Sequence, residues 1–320
     1  MGETESRLTI ESPFTERLGA YLRERFPVAG HGLLVLSYYA AAHAVAAAGT
    51  HPAARVECGP RHLAGVVALF LFFFHLRVFD EHKDYGDDSA YHGERVLQRG
   101  LITLRHLKTL GGVAVALEFV LAAAVGPAAL TALAVAFLYS LLMLKEFFVH
   151  EWLKRRLVAY ALSHMFVMPL LSATAFSFAT GVHFWKAPAV FWLYAAATFF
   201  LGMGLEISRK VRAPEDEIEG VDSYTSVLGT YRAPYTVLWI RALDVVLACV
   251  IAWALGLHWW LFVALAALYA ATALTVFRFR RDTSSRTAER IESQAALHLL
   301  AVNACLAIAV ALKMGVDWRW

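Results

Sequence analysis

The stretch FLFFFHLRVFDEHKDYGDDSAYHGERVLQRG, residues 70–100, passes from solid hydrocarbon into a dense set of carboxylates and then arginines. Asp80, Asp84 and Asp88 stand at i, i+4 and i+8, with Glu81 and Asp87 beside them. A helix turns about 100° per residue, so residues four apart share a face. One face would then carry a ladder of oxygen ligands where an apolar segment leaves the membrane. Like charges at that spacing repel unless a cation lies between them. Hard divalent cations such as Mg2+ take carboxylate oxygens and keep positions open for a phosphate. Arg95 and Arg99, again four apart, offer bidentate donors suited to phosphate oxygens. The alternative, a solvated acidic loop, is outweighed by a second such loop further along the chain.

Outward from this stretch, the 320 residues are 59% hydrophobic and 17% charged, with a mean hydropathy of +0.54. Such a chain is a membrane protein, not a large soluble core. The net charge of +3 is small and no basic–aromatic pattern points to nucleic acid. Cys58, Cys249 and Cys305 lie far apart with no CxxC spacing, so they read as apolar packing residues and not as a zinc site or disulfide framework. Residues 1–27, with Arg7, Arg17, Arg23 and Arg25 among acids, read as a cytoplasmic N-terminal segment with a short surface helix, not a cleaved signal peptide. Residues 28–320 read as one transmembrane domain.

Nine apolar segments follow, near 28–48, 62–80, 106–126, 127–144, 157–179, 187–206, 234–256, 258–278 and 294–315. Most have the length that crosses a bilayer; the third and fourth part at the turn signal Gly126-Pro127. With the N-terminus inside, 23 of the 29 lysines and arginines fall on the cytoplasmic side, 5 on the other, and Arg241 within a segment. The positive-inside rule therefore places the N-terminus in and the C-terminus out, with the loops after the second and sixth segments both cytoplasmic. The expected setting is multi-pass in a bacterial cell membrane.

The loop after the sixth segment reads GLEISRKVRAPEDEIEGVDSYTSVLG, residues 204–229. Glu206, Arg209 and Lys210 occupy the helix end, Pro214 breaks it, and Glu215, Asp216, Glu217, Glu219 and Asp222 follow. Two carboxylate-rich loops with adjacent cations, four segments apart on one side, suggest a weak internal repeat and a site shared between two halves.

A mouth with Mg2+ and arginines above an apolar, aromatic interior suits a lipid diphosphate: cations neutralise the charge that leaves, and the chain lies in the membrane half. Phe70, Phe72, Phe73, Phe74, Phe199, Phe200, Trp192 and Trp239 are candidates for that interior, because an aromatic face stabilises a carbocation as it does an ammonium. Taken singly, each such aromatic fits lipid contact or packing better. Within the spans lie His43, His75, Glu118, His164, Arg241, Asp244, His298 and Asn303. Arg241 and Asp244, three apart, read as a structural pair; Glu118 stands out because no cation lies within a turn of it. Lys145-Glu146 and His150-Glu151, with Lys154, Arg155 and Arg156, read as a cytoplasmic anchoring loop.

These features resemble the UbiA superfamily of intramembrane prenyltransferases, known for nine transmembrane helices and two Asp-rich cytoplasmic motifs. The first motif, commonly NDxxDxxxD, is similar to Asp80-Glu81-His82-Lys83-Asp84-Tyr85-Gly86-Asp87-Asp88, and the family's Asn-Arg-Pro-Leu segment to Glu94-Arg95-Val96-Leu97. The second, usually DxxxD, resembles Ala213-Pro214-Glu215-Asp216-Glu217, with Glu206 as an upstream acid. The resemblance implies an all-α integral membrane fold, nine helices around a central apolar cavity with a cytoplasmic Asp-rich mouth. It implies that Asp80, Glu81, Asp84 and Asp88 bind one Mg2+, and Asp216 and Glu217 with Glu206 a second. Asp80, Asp84 and Asp216 would be the catalytic carboxylates. Lys83, Arg95, Arg99, Arg209 and Lys210 would hold the diphosphate, and Phe73, Phe74, Phe199 and Trp239 would line the prenyl-chain cavity. The family's benzoate-holding RxxKPxG sequence is eroded to Arg23-Glu24-Arg25-Phe26-Pro27-Val28-Ala29-Gly30, which lacks the lysine.

Three activities compete. The first is Mg2+-dependent transfer of an isoprenyl group from its diphosphate to a small-molecule acceptor in the bilayer, with Arg23 placed to orient an acidic one. The second is cyclisation of farnesyl or geranylgeranyl diphosphate, as in the terpene cyclase branch of the superfamily. The third is anion or lipid transport, disfavoured because transporters place charge near the midplane and here it lies at one mouth.

Overall fold

A computed structural model describes residues 8–218 and 221–319 apart from the Lys154 side chain; Arg7, Lys154's charge, Glu219 and Gly220 lie outside it. The chain is almost wholly helical. α1 (Phe14–Arg25) and α2 (Val28–Thr50) precede a short strand β1 (Val56–Cys58), followed by α3 (Pro60–Lys83), α4 (Tyr85–Tyr91), α5 (Leu104–Val125) and α6 (Pro127–Leu144). Then come α7 (His150–Lys154), α8 (Leu157–Met165), α9 (Val167–Thr180), α10 (Ala189–Arg209), α11 (Tyr224–Ala254), α12 (Trp260–Arg281), α13 (Ser285–Met314) and β2 (Val316–Trp318).

Among the described residues nine helical spans are long and apolar enough to cross a membrane, with α8 and α9 together forming the fifth, Leu157–Thr180. Pro169 explains the break between them, since it has no N–H to offer the Met165 carbonyl. The expected boundary at Gly126-Pro127 is present: Gly126 takes φ 139, and the proline opens α6. Two spans start earlier than hydropathy indicates. α11 begins at Tyr224 and not near 234, because a kink at Gly229 (φ 82) joins a polar first turn, capped by Ser223, to the apolar helix containing Pro234. α13 begins at Ser285, its first turns being charged.

Apolar side chains occur all round most spans, as expected where lipid replaces water. Trp239 is 73% exposed on the outside of α11, so it is a lipid-side residue and not part of an interior lining. Trp192 is also exposed, whereas Phe72 is fully buried and Phe73 and Phe70 pack against the main core. α1 is more than a surface helix. Its Ala20 and Tyr21 are buried with Val78, Val96, Leu97, Leu101 and Ile102, which docks the N-terminal segment on the first acidic loop.

The intramembrane polar groups pair between helices. Glu118 of α5 takes His75 of α3 at 2.8 Å, and the other ring nitrogen meets Ser140 of α6 at 3.3 Å. Asp244 of α11 accepts from Arg241 at 3.1 Å and meets His298 of α13 at 2.9 Å. Arg241 also donates to the Leu201 and Ala295 carbonyls, so one buried guanidinium ties α10, α11 and α13. Gly204 makes room for it: a Cβ there would lie 2.5 Å from the guanidinium carbon. The Arg241–Asp244 pair is structural, as its spacing indicates.

Four spans separate residues 84–103 from residues 210–223, which puts both loops on one side. In a chain with its three cysteines changed to serine, Ala90→Cys and Asp222→Cys are expected to label from the same side of a sealed vesicle and Ala53→Cys from the other. Labelling of Ala90→Cys and Asp222→Cys from opposite sides would overturn this arrangement.

Candidate active site

The acidic stretch forms because α3 carries its hydrogen-bond register past its own end. The Asp84 amide bonds the Asp80 carbonyl at 2.8 Å and the Asp88 amide bonds the Asp84 carbonyl at 2.8 Å, so the backbone ladder continues into α4. Side chains do not follow it uniformly. Asp80 and Asp84 stand half-exposed about Lys83, whose ammonium lies 3.5 and 3.9 Å from them. Glu81, one residue and about 100° further round, is buried and paired with Arg25 of α1 at 2.7 Å. Asp88 is held by Arg95 at 2.6 Å and faces Arg25 at 3.5 Å. The carboxylates expected at one ion thus divide between two cation centres, and no group of three metal-ligating side chains is gathered among the described residues.

The second acidic stretch is positioned by a backbone that doubles back after α10. Lys210 accepts the Tyr224 amide through its carbonyl at 2.9 Å, and Thr225 accepts from the Arg212 amide at 2.9 Å. Glu206 pairs with Lys210 at 2.8 Å and approaches Arg209 at 3.9 Å. Glu215 accepts from the Ser285 amide at 2.9 Å at the start of α13, where a negative charge suits the helix dipole. Asp216 is exposed, and Glu217 accepts from Ser223 at 2.6 Å while its second oxygen is buried without a partner.

The two halves meet at Tyr160 of α8. Lys83, ending α3, donates to the Tyr160 hydroxyl at 2.7 Å and lies 5.2 Å from the ring centre. Lys210, after α10, lies 5.1 Å from the same ring. Tyr160 stacks on His164 at 3.9 Å, and the outer ring nitrogen of His164 is buried without a partner.

Glu146 joins this centre from the connection after α6, 3.9 Å from Lys83 and in contact with His150. Three successive non-glycine residues, Glu146, Phe147 and Phe148, take φ of 44, 54 and 60. Left-handed backbone costs roughly 1–2 kcal/mol per L-residue, so packing must hold the turn. Phe147 does this, wedged between Tyr139 and His164. Partial burial pushes the half-exposed Asp84 carboxyl up to about 6, with Asp80, Asp88 and Glu146 adding to the rise and Lys83 opposing it.

Asp80, Asp84, Lys83, Glu206 and Lys210, all expected from sequence, therefore converge near Tyr160, with Arg209 beside Glu206. Arg95 instead secures Asp88, and Arg99 donates to the Leu8 carbonyl at 3.1 Å, against the N-terminal segment. Arg25, Glu146 and Tyr160 belong to the site without any mark of it in the sequence. Glu146 reads locally as part of an anchoring loop, and nothing near Tyr160 singles it out, since its partners are 77 and 50 residues away. Phe74 packs edge-on to Phe26, and Phe199 to Phe200 midway along α10.

Nine apolar spans with two cation-and-carboxylate helix ends brought to one aromatic ring define an intramembrane protein equipped for an anionic ligand. The chain matches the model of the UbiA prenyltransferase family over residues 33–295 and belongs to that family, which makes it an enzyme of the prenyltransferase class. No curated protein matches it in sequence. Among solved structures it is similar to an apo UbiA homologue from Aeropyrum pernix K1, at 18% identity and TM-score 0.66 over 89% of this chain and 98% of that one. It is also similar to a digeranylgeranylglyceryl phosphate synthase, at 17% identity and TM-score 0.60 over 92% of this chain and 99% of that one. A UbiA homologue from Archaeoglobus fulgidus, bound to GPP and Mg2+, aligns at 17% identity and TM-score 0.54 over 90% of this chain and 99% of that one. At these identities the likeness is one of fold.

Proposed function

We propose that the chain binds an isoprenyl diphosphate where α3 and α10 meet, ionises it with Mg2+, and transfers the isoprenyl group to a second molecule, the mouth facing the cytoplasm. The observation that carries this reading is the convergence of Lys83 and Lys210 on Tyr160 between two sets of carboxylates. The donor set fits Mg2+: it is all oxygen, Asp84 is crowded by like charges, and Glu217 keeps an orphaned buried oxygen. Asp80 and Asp84 would hold one ion, joined by Asp88 on its release from Arg95, and Glu206, Asp216 and Glu217 a second. Glu81, spent on Arg25, supports the first set from behind. Bound Mg2+ would neutralise charge on the departing diphosphate.

The protein's own groups do the rest. Lys83, Lys210 and Arg209 bind diphosphate oxygens, and Tyr160 fixes the Lys83 ammonium. The allylic C–O bond breaks with its electron pair going to the diphosphate. Phe73, Phe74 and Phe199 face the prenyl chain in an apolar interior and steady the cation through their ring faces. An acceptor nucleophile then forms the new bond to carbon and loses a proton. An archaeal homologue bound to GPP and Mg2+ supports the substrate class.

Purified enzyme given geranyl, farnesyl or geranylgeranyl diphosphate with Mg2+ and a membrane lipid extract is expected to release diphosphate and prenylate a component of the extract, with EDTA abolishing both. A cyclic hydrocarbon or alcohol formed at catalytic turnover from one prenyl diphosphate alone would establish cyclisation instead. Tyr160→Phe removes only the hydroxyl that holds Lys83. A hydrogen bond to a charged group contributes roughly 1.5–3 kcal/mol, so kcat/KM for the diphosphate is expected to fall by about ten- to a hundredfold while thermal stability holds. Unchanged kinetics would remove Tyr160 from the site.

A further inference from the structure

At the end of the bundle opposite Tyr160 lies a second polar constellation that prenyl transfer does not use. The end of α2, residues 51–61 and the end of α9 enclose a half-open cavity of about 210 Å3, with His43, Thr50, His51, Arg55, Glu57 and Arg61 in its wall. Its frame is built, not incidental. β1 pairs in parallel with β2, Val56 opposite Val316 and Cys58 opposite Trp318, so the C-terminal segment clamps the connection that forms the wall. Gly59 is where the two backbones come closest: a Cβ there would stand 2.4 Å from the Arg319 carbonyl oxygen.

The floor of the cavity carries an unmet hydrogen-bonding demand. His43 is only 7% exposed, and its Nε2 meets the Glu57 carbonyl at 2.6 Å. A carbonyl can only accept, so Nε2 carries the proton, and in the neutral ring Nδ1 presents a lone pair. That Nδ1 is buried without a partner. The ring is locked against His62 at 4.1 Å, and His62 in turn meets the Tyr39 hydroxyl at 3.4 Å, so His43 cannot easily turn to find a donor. The rim has surplus positive charge. Arg61 shares Glu57 with Arg319, at 3.5 and 2.8 Å, and Arg55 has no acidic partner among the described residues. Exposed Trp185, Trp253 and Trp259 occupy this same end of the bundle, the distribution of a membrane-interface belt. The cavity thus opens at the depth where headgroup phosphates lie.

We propose that this cavity binds a phosphate mono- or diester that also carries a hydroxyl or ammonium group. The phosphate lies on Arg55 and Arg61, whose planar forks match its oxygens, and the hydroxyl or ammonium donates to Nδ1 of His43 once the wall that covers this atom yields to the ligand. The volume admits a group of headgroup size and no bulky ligand. A glycerophosphate or phosphoethanolamine group has this chemistry, whether on a membrane lipid or free in water.

The test uses the full chain in detergent and EDTA, which keeps Mg2+ out of the acidic mouth. In native mass spectrometry it is expected to retain one phosphatidylglycerol in preference to phosphatidylcholine, whose quaternary headgroup has no N–H or O–H. Calorimetry with sn-glycerol 3-phosphate, in phosphatidylcholine nanodiscs, separates the sources: binding there assigns a free ligand, and phosphatidylglycerol retention alone assigns a lipid. Arg55→Gln is expected to weaken whichever binding is seen by about tenfold or more, and Ala54→Phe, which fills the opening, to abolish it. Asp84→Asn, at the other end, leaves it unchanged. Equal retention of the two lipids with no glycerol 3-phosphate binding, or binding undiminished in Arg55→Gln and Ala54→Phe, overturns the proposal.

Discussion

Asp84→Ala is expected to leave a folded, membrane-inserted protein whose turnover of an allylic diphosphate falls by at least about a hundredfold. Removing one group that stabilises developing charge in a dry site costs roughly 2.7–4 kcal/mol of barrier, and a lost metal ligand costs several. On the proposed reading Asp84 would serve in both ways. It caps α3, stands with Asp80 around Lys83, and is pushed up to about 6 by burial and by the facing carboxylates of Asp80, Asp88 and Glu146. On the proposed reading a bound cation would relieve this crowding. The fold does not depend on the side chain, because among the described residues its only ion-pair contact is the long one to Lys83, at 3.9 Å. Diphosphate release, its Mg2+ dependence and the thermal midpoint are the measurements. Full activity in folded Asp84→Ala would sink the assignment of this ladder to the metal.

Asp244→Ala is expected to do the reverse, lowering stability by roughly 3–5 kcal/mol while turnover per folded molecule stays within a few-fold of the parent. Breaking a buried pair leaves the other charge uncompensated. Arg241 would keep only the Leu201 and Ala295 carbonyls, with its Nε already without a partner, and His298 would lose its partner at 2.9 Å. The joint of α10, α11 and α13 would loosen. Gly204→Ala should weaken the same joint from the opposite side, since its methyl would meet the guanidinium. A thermal midpoint in detergent matching the parent for Asp244→Ala would mean that the network contributes nothing to the joint.

The contrast between these two carboxylates is legible in the amino-acid sequence. Asp84 sits among acids four residues apart and Asp244 has an arginine three residues away; both relations follow from helical period. The spans, the placement of both acidic loops on one common side and the division at Gly126-Pro127 are likewise properties of short windows of sequence. Hydropathy and charge act locally, so a single chain determines them. Family membership is legible on the same basis, through paired motifs at fixed spacing.

Tertiary structure decided everything that depends on contact between distant windows. Glu118 stands isolated in sequence because its partner His75 lies 43 residues earlier, on another helix. Glu81 belongs to the acidic run in sequence but turns inward to Arg25 of α1, a contact 56 residues long. Trp239 has the composition of a lining residue and faces outward, because hydropathy cannot tell lipid from core where both are apolar. Lys83 and Lys210 share Tyr160 only because α8 packs between the ends of α3 and α10, and Glu146 reaches Lys83 only through a left-handed turn that Phe147 holds. Period and hydropathy determined which groups stand at the membrane surface; which of them neutralise one another and which are left for a ligand depended on helix packing, the one quantity that no local pattern encodes.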